Sequence, residues 1–142
     1  MGRVLGIDYG ERRIGIAISD PTRTIAQPLP TIVRRRGKRP PYTKIMEVLD
    51  EWDAECIVVG LPLETSGEEG RMASEVRDFG DGLERRARIQ VAYWDERFTS
   101  VQAQRELARL ELPAMARRQK ERVDAMAAML ILQSYLDAKS KD

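Results

Sequence analysis

The chain has 142 residues, of which 42% are hydrophobic and 33% are charged, and its 24 basic side chains nearly balance 23 acidic ones. This length allows one compact domain, residues 1–142, and this composition excludes a disordered or membrane-spanning protein. The chain has no histidine and a single cysteine, which excludes a histidine base and an intramolecular disulfide, and the lack of a signal-peptide pattern predicts a cytoplasmic protein.

Three short strands are predicted in the first part of the chain. The β-rich segments Val4–Ile7 and Ile14–Ile18 flank a loop that contains Gly10, a pattern typical of an antiparallel hairpin. The segment Ile25–Val33 predicts a third strand, whose two prolines favour an edge position. The following run Arg34–Arg39 is strongly basic and is followed by two prolines, which predicts an exposed loop.

Helices and strands are then predicted in alternation. The first helix has Thr43 as its cap and a face formed by Ile45, Val48, Leu49 and Trp52. The apolar run Cys56–Leu61 predicts a central parallel strand that is covered on both sheet faces. A second helix has an apolar stripe formed by Met72, Val76, Phe79 and Leu83. Alternating residues from Ile89 predict a last strand that ends near Asp95 and Glu96.

The final part of the chain predicts two more helices. Thr99 and Gln102 have the spacing of a capping box before a helix over Val101–Leu110, which a proline ends. A basic linker, Arg117–Arg122, precedes a last helix over about Val123–Ala138. The residues of that helix expected to face the core are Val123, Ala127, Leu130 and Ser134. Antiparallel strands followed by helical crossovers predict an α/β fold with a mixed sheet and helices on its faces.

Three carboxylates are predicted to meet at one edge of this sheet. Asp8 and Glu96 lie at the carboxyl ends of two strands, where open α/β sheets place their sites, and Asp124 opens the last helix beside the small residues Ala127 and Ala128. Neighbouring carboxylates require cations, and hard oxygen ligands suit Mg²⁺ or Mn²⁺. Such ions can activate a water and stabilise the departing oxygen of a phosphodiester without a histidine. The residues therefore predict a metal-dependent nuclease, a hydrolase in which Asp8, Glu96 and Asp124 are metal ligands and catalytic groups.

Each of these residues also has a simpler interpretation. Asp8 could be a turn residue at a strand end. Glu96 could form an ion pair with Arg97 or another surface cation, and Asp124 could stabilise a helix N-terminus through the helix dipole. Turn geometry alone could explain three glycines, which are Gly6, Gly10 and Gly15. Only the coincidence of all these features favours a catalytic site.

Phosphates that approach three carboxylates need compensating positive charge. The predicted nucleic-acid contacts are Arg13, Arg97, Arg117, Arg118, Lys120 and Arg122. The basic loop Arg34–Arg39 is expected instead to be solvated surface. Thr99 and Ser100 are expected to support the site rather than act as nucleophiles, because no histidine base can activate them.

The order of the motifs resembles one protein family. The motifs are Gly6-Ile7-Asp8-Tyr9-Gly10, Arg13-Ile14-Gly15, Ala26–Leu29, Gly60–Leu63, Asp95–Ser100, and Lys120 with Val123–Ala128. They resemble the YqgF/RuvX proteins, RNase H-like nucleases related to Holliday junction resolvases. The resemblance implies an RNase H-like, mixed five-stranded sheet flanked by helices, metal ligands at Asp8, Glu96 and Asp124, and processing of the 5′ end of pre-16S rRNA in ribosome biogenesis.

Other functions stay open at this point. RNA is the expected partner, but a Holliday junction resolvase acting on branched DNA is an alternative. Junction resolvases usually have a second carboxylate near the position of Ala127, which makes resolvase activity less expected here than metal binding. A non-catalytic RNA-binding module of the same fold is another alternative. An ATPase of the actin, Hsp70 or sugar-kinase type has a similar hairpin, but it needs two such domains to enclose ATP.

Overall fold

The computed structural model describes residues 2–35, 37–105 and 117–141. Arg36, the segment 106–116 and the side chains of Arg117 and Arg118 lie outside this description. The predicted end of the third helix, at Leu110 and Pro113, also lies outside it.

The described residues alternate between strands and helices. In chain order they form β1 (Arg3–Tyr9), β2 (Arg13–Ser19), β3 (Ala26–Val33), α1 (Tyr42–Trp52), β4 (Ala54–Leu61), α2 (Arg71–Ala87), β5 (Val91–Asp95), a short 3-10 helix (Glu96–Phe98), α3, of which residues 101–105 are described, and α4 (Arg117–Ser140). Within the described residues, no helix is long and apolar enough to cross a membrane.

The five strands form one sheet in the order β3-β2-β1-β4-β5. β1 and β2 pair antiparallel, with Asp8 opposite Gly15, whereas β4 pairs in parallel with both β1 and β5. The predicted mixed sheet is therefore confirmed. β3 pairs only with β2 within the sheet, so the strand that carries Pro28 and Pro30 lies at an edge, as predicted.

Helices cover both faces of the sheet. On one face, α1 and α2 bury Ile45 and Phe79 against strand residues such as Ile57. On the other face, α4 buries Ala128 and Leu132 against strand residues of the opposite orientation. Successive strand residues point to opposite faces, which explains why β4 is apolar from Cys56 to Leu61.

Two details of the first helices differ from the predictions. Thr43 does not cap α1, since the helix begins at Tyr42 after Pro41 and has no side-chain cap bond. The two preceding prolines already restrict the backbone at this end. Met72 is 39% exposed, and its neighbour Ala73 is fully buried instead. Met72 lies in the first turn of α2 and lines two cavities, which explains its exposure.

The predicted basic linker is helical, which corrects the start of α4. The helix begins at Arg117 rather than near Val123, and Arg, Gln, Lys and Glu are good helix formers. Asp124 therefore lies inside the helix, and its interpretation as a residue at the helix N-terminus is wrong.

The core face of α4 is also shifted from the predicted one. Ala127 is buried as predicted, whereas the other predicted core residues, Val123, Leu130 and Ser134, are only partly buried. The fully buried residues of this helix include Ala128, Ile131 and Leu132.

Glycines in the strands let α4 approach the sheet closely. A Cβ atom on Gly15 would lie 2.1 Å from the backbone oxygen of Asp124, and one on Gly6 would lie 2.7 Å from the Cβ of Leu132. Both residues lie within strands, so turn geometry does not explain them. The absence of two side chains thus sets how near Asp124 comes to β1 and β2.

Candidate active site

The three predicted carboxylates line one cavity of about 310 Å³. Asp8 is the next-to-last residue of β1, Glu96 follows β5 in the short 3-10 helix, and Asp124 faces the sheet from α4. Gly60, at the end of the intervening strand β4, lines the same cavity. A Cβ atom there would lie 3.0 Å from Glu96 Oε1, so this glycine leaves room for the carboxylate.

Two of the carboxylates are buried. Asp8 is 5% exposed and Glu96 is 2% exposed, while the side chain of Asp124 is 23% exposed. Burial raises the pKa of Glu96 despite the opposing charge of Arg105, and the nearby Asp8 carboxylate raises it further. Buried charges of like sign repel one another, so this pair requires a cation close by.

Arg105 supplies that cation in the structure. Its Nη1 donates to Glu96 Oε2 at 2.7 Å, and its Nη2 donates to Asp8 Oδ1. Burial alone would lower the pKa of Arg105, but the two carboxylates raise it overall. The guanidinium therefore stays charged and neutralises both acids at once.

Arg105 is the residue of this site that the sequence analysis missed. A signal was available, because Arg105 follows Val101 by four residues on a predicted helix and so shares its face. Val101 is fully buried. An arginine on the same face as a buried valine was therefore a candidate partner for the acids.

The third carboxylate has a separate partner. Arg13 donates from Nε to Asp124 Oδ2. Burial raises the pKa of Asp124, although Arg13 acts in the opposite direction. Arg13 was predicted to contact nucleic acid, but here its guanidinium holds the Asp124 carboxylate at the cavity.

Of the two kinds of partner that the simpler interpretation allowed for Glu96, Arg97 is wrong, and the carboxylate pairs with another cation, Arg105. Arg97 instead forms hydrogen bonds with Asp95, with Nη2 2.7 Å from Oδ2. This pair lies nearer the surface, and the side chain of Arg97 is 36% exposed. The strand end thus carries two acids with different partners, of which only Glu96 lines the cavity.

Thr99 fixes the backbone beside Glu96. Its hydroxyl donates to the Glu96 carbonyl oxygen at 2.6 Å and accepts a hydrogen bond from the Val101 amide at 3.1 Å. The predicted cap at Thr99 is therefore confirmed. The reciprocal bond of a capping box does not form, because the Thr99 amide donates to Glu96 instead.

The remaining predicted phosphate contacts lie at the start of α4, before Asp124. Arg117, Arg118, Lys120 and Arg122 all belong to this helix. Lys120 precedes Asp124 by four residues and so lies on its side of the helix, whereas Arg122 is exposed.

The basic loop Arg34–Arg39 was expected to be solvated surface. Its first residue differs from this expectation, because the guanidinium of Arg34 packs over the Tyr9 ring.

The donor set fits a hard divalent cation, since it consists of carboxylate oxygens around a cavity where a cation is already required. In residues 2–35, 37–105 and 117–141, no three acidic, histidine or cysteine side chains are arranged as a metal-binding group. Asp8 and Glu96 instead share Arg105. A metal bound by all three carboxylates requires the guanidinium to withdraw.

Known proteins are similar to this chain in sequence and in fold. Residues 2–138 match the RuvX family, described as Holliday junction resolvase. Relatives named "Putative pre-16S rRNA nuclease" include that of Koribacter versatilis, 41% identical over 99% of this chain and 90% of the relative. Those of Acetivibrio thermocellus and Caldanaerobacter subterraneus are 43% and 44% identical, over 98% and 96% of this chain and 98% and 97% of the relatives.

Solved structures of junction-cleaving enzymes have the same architecture. Thermus thermophilus RuvC in complex with a Holliday junction substrate superposes with a TM-score of 0.58 at 17% identity, covering 99% of this chain and 96% of that one. The fowlpox virus resolvase bound to Holliday junction DNA also gives a TM-score of 0.58, at 10% identity, covering 96% and 98%. These likenesses confirm the predicted RNase H-like fold. The match over residues 2–138 and the relatives at 41–44% identity show that the chain belongs to the RuvX family.

Proposed function

We propose that the protein is a metal-dependent nuclease that hydrolyses phosphodiester bonds and processes the 5′ end of pre-16S rRNA. The observation that supports this most directly is the carboxylate cavity. In it Asp8 and Glu96 are buried around the guanidinium of Arg105, and Asp124 lies at the wall. The names of the relatives support the RNA substrate. The description of the family keeps cleavage of a Holliday junction as the second candidate.

Asp8, Glu96 and Asp124 would hold Mg²⁺ or Mn²⁺. When bound, such ions can activate a water and stabilise the departing oxygen of the phosphodiester. The surrounding residues position the ligands. Arg13 orients Asp124, and Thr99 fixes the backbone carbonyl of Glu96. Burial of Asp8 and Glu96 keeps solvent away from the carboxylates and strengthens their interaction with any cation.

The test measures hydrolysis of three substrates in parallel, each with Mg²⁺ or Mn²⁺. They are an RNA that carries the 5′ precursor segment of 16S rRNA, a four-way DNA junction and ATP. We expect cleavage of the RNA and no hydrolysis of ATP. Symmetric cleavage of the junction alone would favour the second candidate. If neither nucleic acid is cut, the protein is not a nuclease under the proposed chemistry.

Replacing Arg105 with Gln is expected to destabilise the metal-free protein and to increase its response to metal. The substitution leaves Asp8 and Glu96 without their shared cation. We expect a loss of about 2 kcal/mol, below the roughly 3–5 kcal/mol of a fully buried pair, because the Arg105 side chain is 39% exposed. Mn²⁺ should then raise the melting temperature of the variant more than that of the parent protein, because the ion replaces the lost charge.

Arg85→Gln is the matched control, since it removes the same charge from an exposed position of α2. Its melting temperature and its response to Mn²⁺ should match those of the parent. Melting curves with and without Mn²⁺ make the comparison. An equal Mn²⁺ response for Arg105→Gln and the parent would show that the guanidinium and the metal do not compete for the same oxygens.

Neutralising the cations at the start of α4 is expected to weaken substrate binding without regard to sequence. In the tested variant Arg117, Arg118, Lys120 and Arg122 are all replaced with Gln. Each lost phosphate contact should flatten the plot of log affinity against log salt by about 0.7 on single strands and 0.9 on duplex DNA. Affinity is measured in Ca²⁺, which is used to block cleavage.

A second quadruple variant controls for net charge. It replaces four cations elsewhere in the chain that are exposed and do not line the carboxylate cavity, namely Lys44, Arg85, Arg88 and Lys139. Its slope should stay close to that of the parent protein. The same slope and affinity in both quadruple variants would reject a phosphate-binding role for the start of α4.

A further inference from the structure

A second and larger cavity opens beside the carboxylate cavity. Its volume is about 700 Å³, within the range of small-molecule sites. Tyr9, Glu11 and Met72 line both cavities, so the two are adjacent. A nucleotide next to the phosphodiester at the carboxylates would therefore lie near this second space, here called the aromatic cavity.

Three parallel rings form one side of the aromatic cavity. The rings of Tyr9 and Phe79 stack with centroids 4.0 Å apart and planes 8° apart. Tyr42 continues the series, 5.9 Å from Phe79 with an interplanar angle of 9°. Stacking and burial cover most of the ring faces, since Tyr9 is 8% exposed and Phe79 is 2% exposed. The rings therefore present mainly their edges to the cavity, and an edge-on contact with a planar base is favourable.

Arginines cap this stack. The guanidinium carbon of Arg34 lies 4.3 Å from the Tyr9 ring centroid, and that of Arg86 lies 4.1 Å from the Tyr42 centroid. Nη1 of Arg34 donates to the Gly10 carbonyl, but its Nε is buried without a hydrogen-bond partner among the described residues. The charge of Arg34 therefore lies in the wall of the aromatic cavity, next to Tyr9, which lines both cavities.

The other charges of the aromatic cavity are mixed. Arg71 is at its rim, and so are the acids Glu11, Glu75 and Asp78. A site for several phosphates would be uniformly basic. Carboxylates instead accept hydrogen bonds from the amino groups of bases, while arginines bind phosphate. The lining thus fits a ligand that has a neutral polar ring and a single negative charge next to it.

We propose that the aromatic cavity binds one unpaired nucleotide of the strand whose phosphodiester lies at the carboxylates. Its base enters between the rings and the acidic rim, and its phosphate contacts Arg34 and Arg71. A base inside a duplex is stacked and paired and cannot enter such a cavity. The site therefore selects single-stranded or unpaired substrate. This inference rests on the proposed nuclease function and assigns its substrate class.

The test measures affinity for a short labelled RNA, alone and annealed to its complement, in Ca²⁺. We expect the parent protein to bind the single strand at least about tenfold more tightly. Arg34→Gln and Arg71→Gln should each reduce that preference severalfold and lower the salt slope on the single strand by about 0.7. Arg71 tests the site without risk to the fold, because its side chain is 92% exposed. A 2-aminopurine in the strand should change its fluorescence on binding to the parent protein.

Arg85→Gln is again the matched control, because it does not line the aromatic cavity. It should bind both forms of the RNA as the parent does. Equal affinity of the parent for single strand and duplex, or unchanged binding by both Arg34→Gln and Arg71→Gln, would overturn the inference. Cleavage assays separate the two proposals. Metal-dependent cutting that is indifferent to pairing contradicts the aromatic cavity alone, whereas selective binding without cutting contradicts the nuclease alone.

Discussion

The Asp8→Asn protein is expected to lose metal-dependent nuclease activity by more than about a hundredfold, since even partners of metal ligands contribute about 10- to 100-fold. The substitution preserves the shape of the side chain and removes one of the two charges that face Arg105. With less negative charge in the cavity, a divalent cation is held less tightly and transition-state charge is stabilised less. Initial rates on the pre-16S rRNA fragment in Mn²⁺ measure the effect.

Asp50→Asn controls for this change. Asp50 is exposed on α1, away from the cavity, so its variant should cleave at the parental rate. Circular dichroism should show that both variants fold. Parental activity in a pure, folded Asp8→Asn protein would contradict the role of this carboxylate. If the Asp8→Asn protein loses activity because it unfolds, its circular dichroism spectrum will show the loss of structure.

Gly15→Ala is expected to cause the largest loss of stability among the substitutions considered. The new Cβ would lie 2.1 Å from the backbone oxygen of Asp124 and 3.3 Å from the Ala128 Cβ. Neither group can rotate away, so α4 must move off the sheet. Overpacking a core usually costs about 1–3 kcal/mol, and we expect the upper end of that range. Urea denaturation measures the free energy of unfolding.

Gly2→Ala provides the same chemical change at a tolerant position. The three atoms nearest to its Cβ would all belong to the side chain of Glu55, which is 60% exposed and can swing into solvent. We expect a change in stability within about 0.5 kcal/mol. If Gly15→Ala is as stable as Gly2→Ala, the close approach of α4 to β2 is not a constraint. Because Asp124 moves with the helix, Gly15→Ala should also reduce nuclease activity in the protein that remains folded.

The sheet and two of the acids follow from local patterns in the sequence. Alternation and apolar runs predict the strands, and the carboxyl ends of neighbouring parallel strands meet at one edge. Asp8 and Glu96 were therefore expected together, and they line one cavity. Asp124 reaches it for a reason that the sequence also contains, namely the small residues of α4 and the glycines opposite them.

The partners of those acids could not be predicted in the same way. Arg105 is 97 residues from Asp8 in the chain, and Arg13 is 111 residues from Asp124. Which of 24 basic residues pairs with which acid depends on helix orientation and side-chain reach rather than on spacing. The prediction of where α4 begins was wrong for another reason. Charged residues that form helices well carry no apolar stripe, so they resemble a linker.

The two prolines of β3 also bear on how the molecule behaves at high concentration. An exposed edge strand offers unpaired amide donors to the strands of other molecules and so promotes aggregation. Pro28 and Pro30 each lack an amide hydrogen, and the register of β3 shifts opposite Gly15. A second chain that approached this edge would find an interrupted hydrogen-bond ladder. The edge of the sheet that lies farthest from β5 is thereby protected against edge-to-edge association.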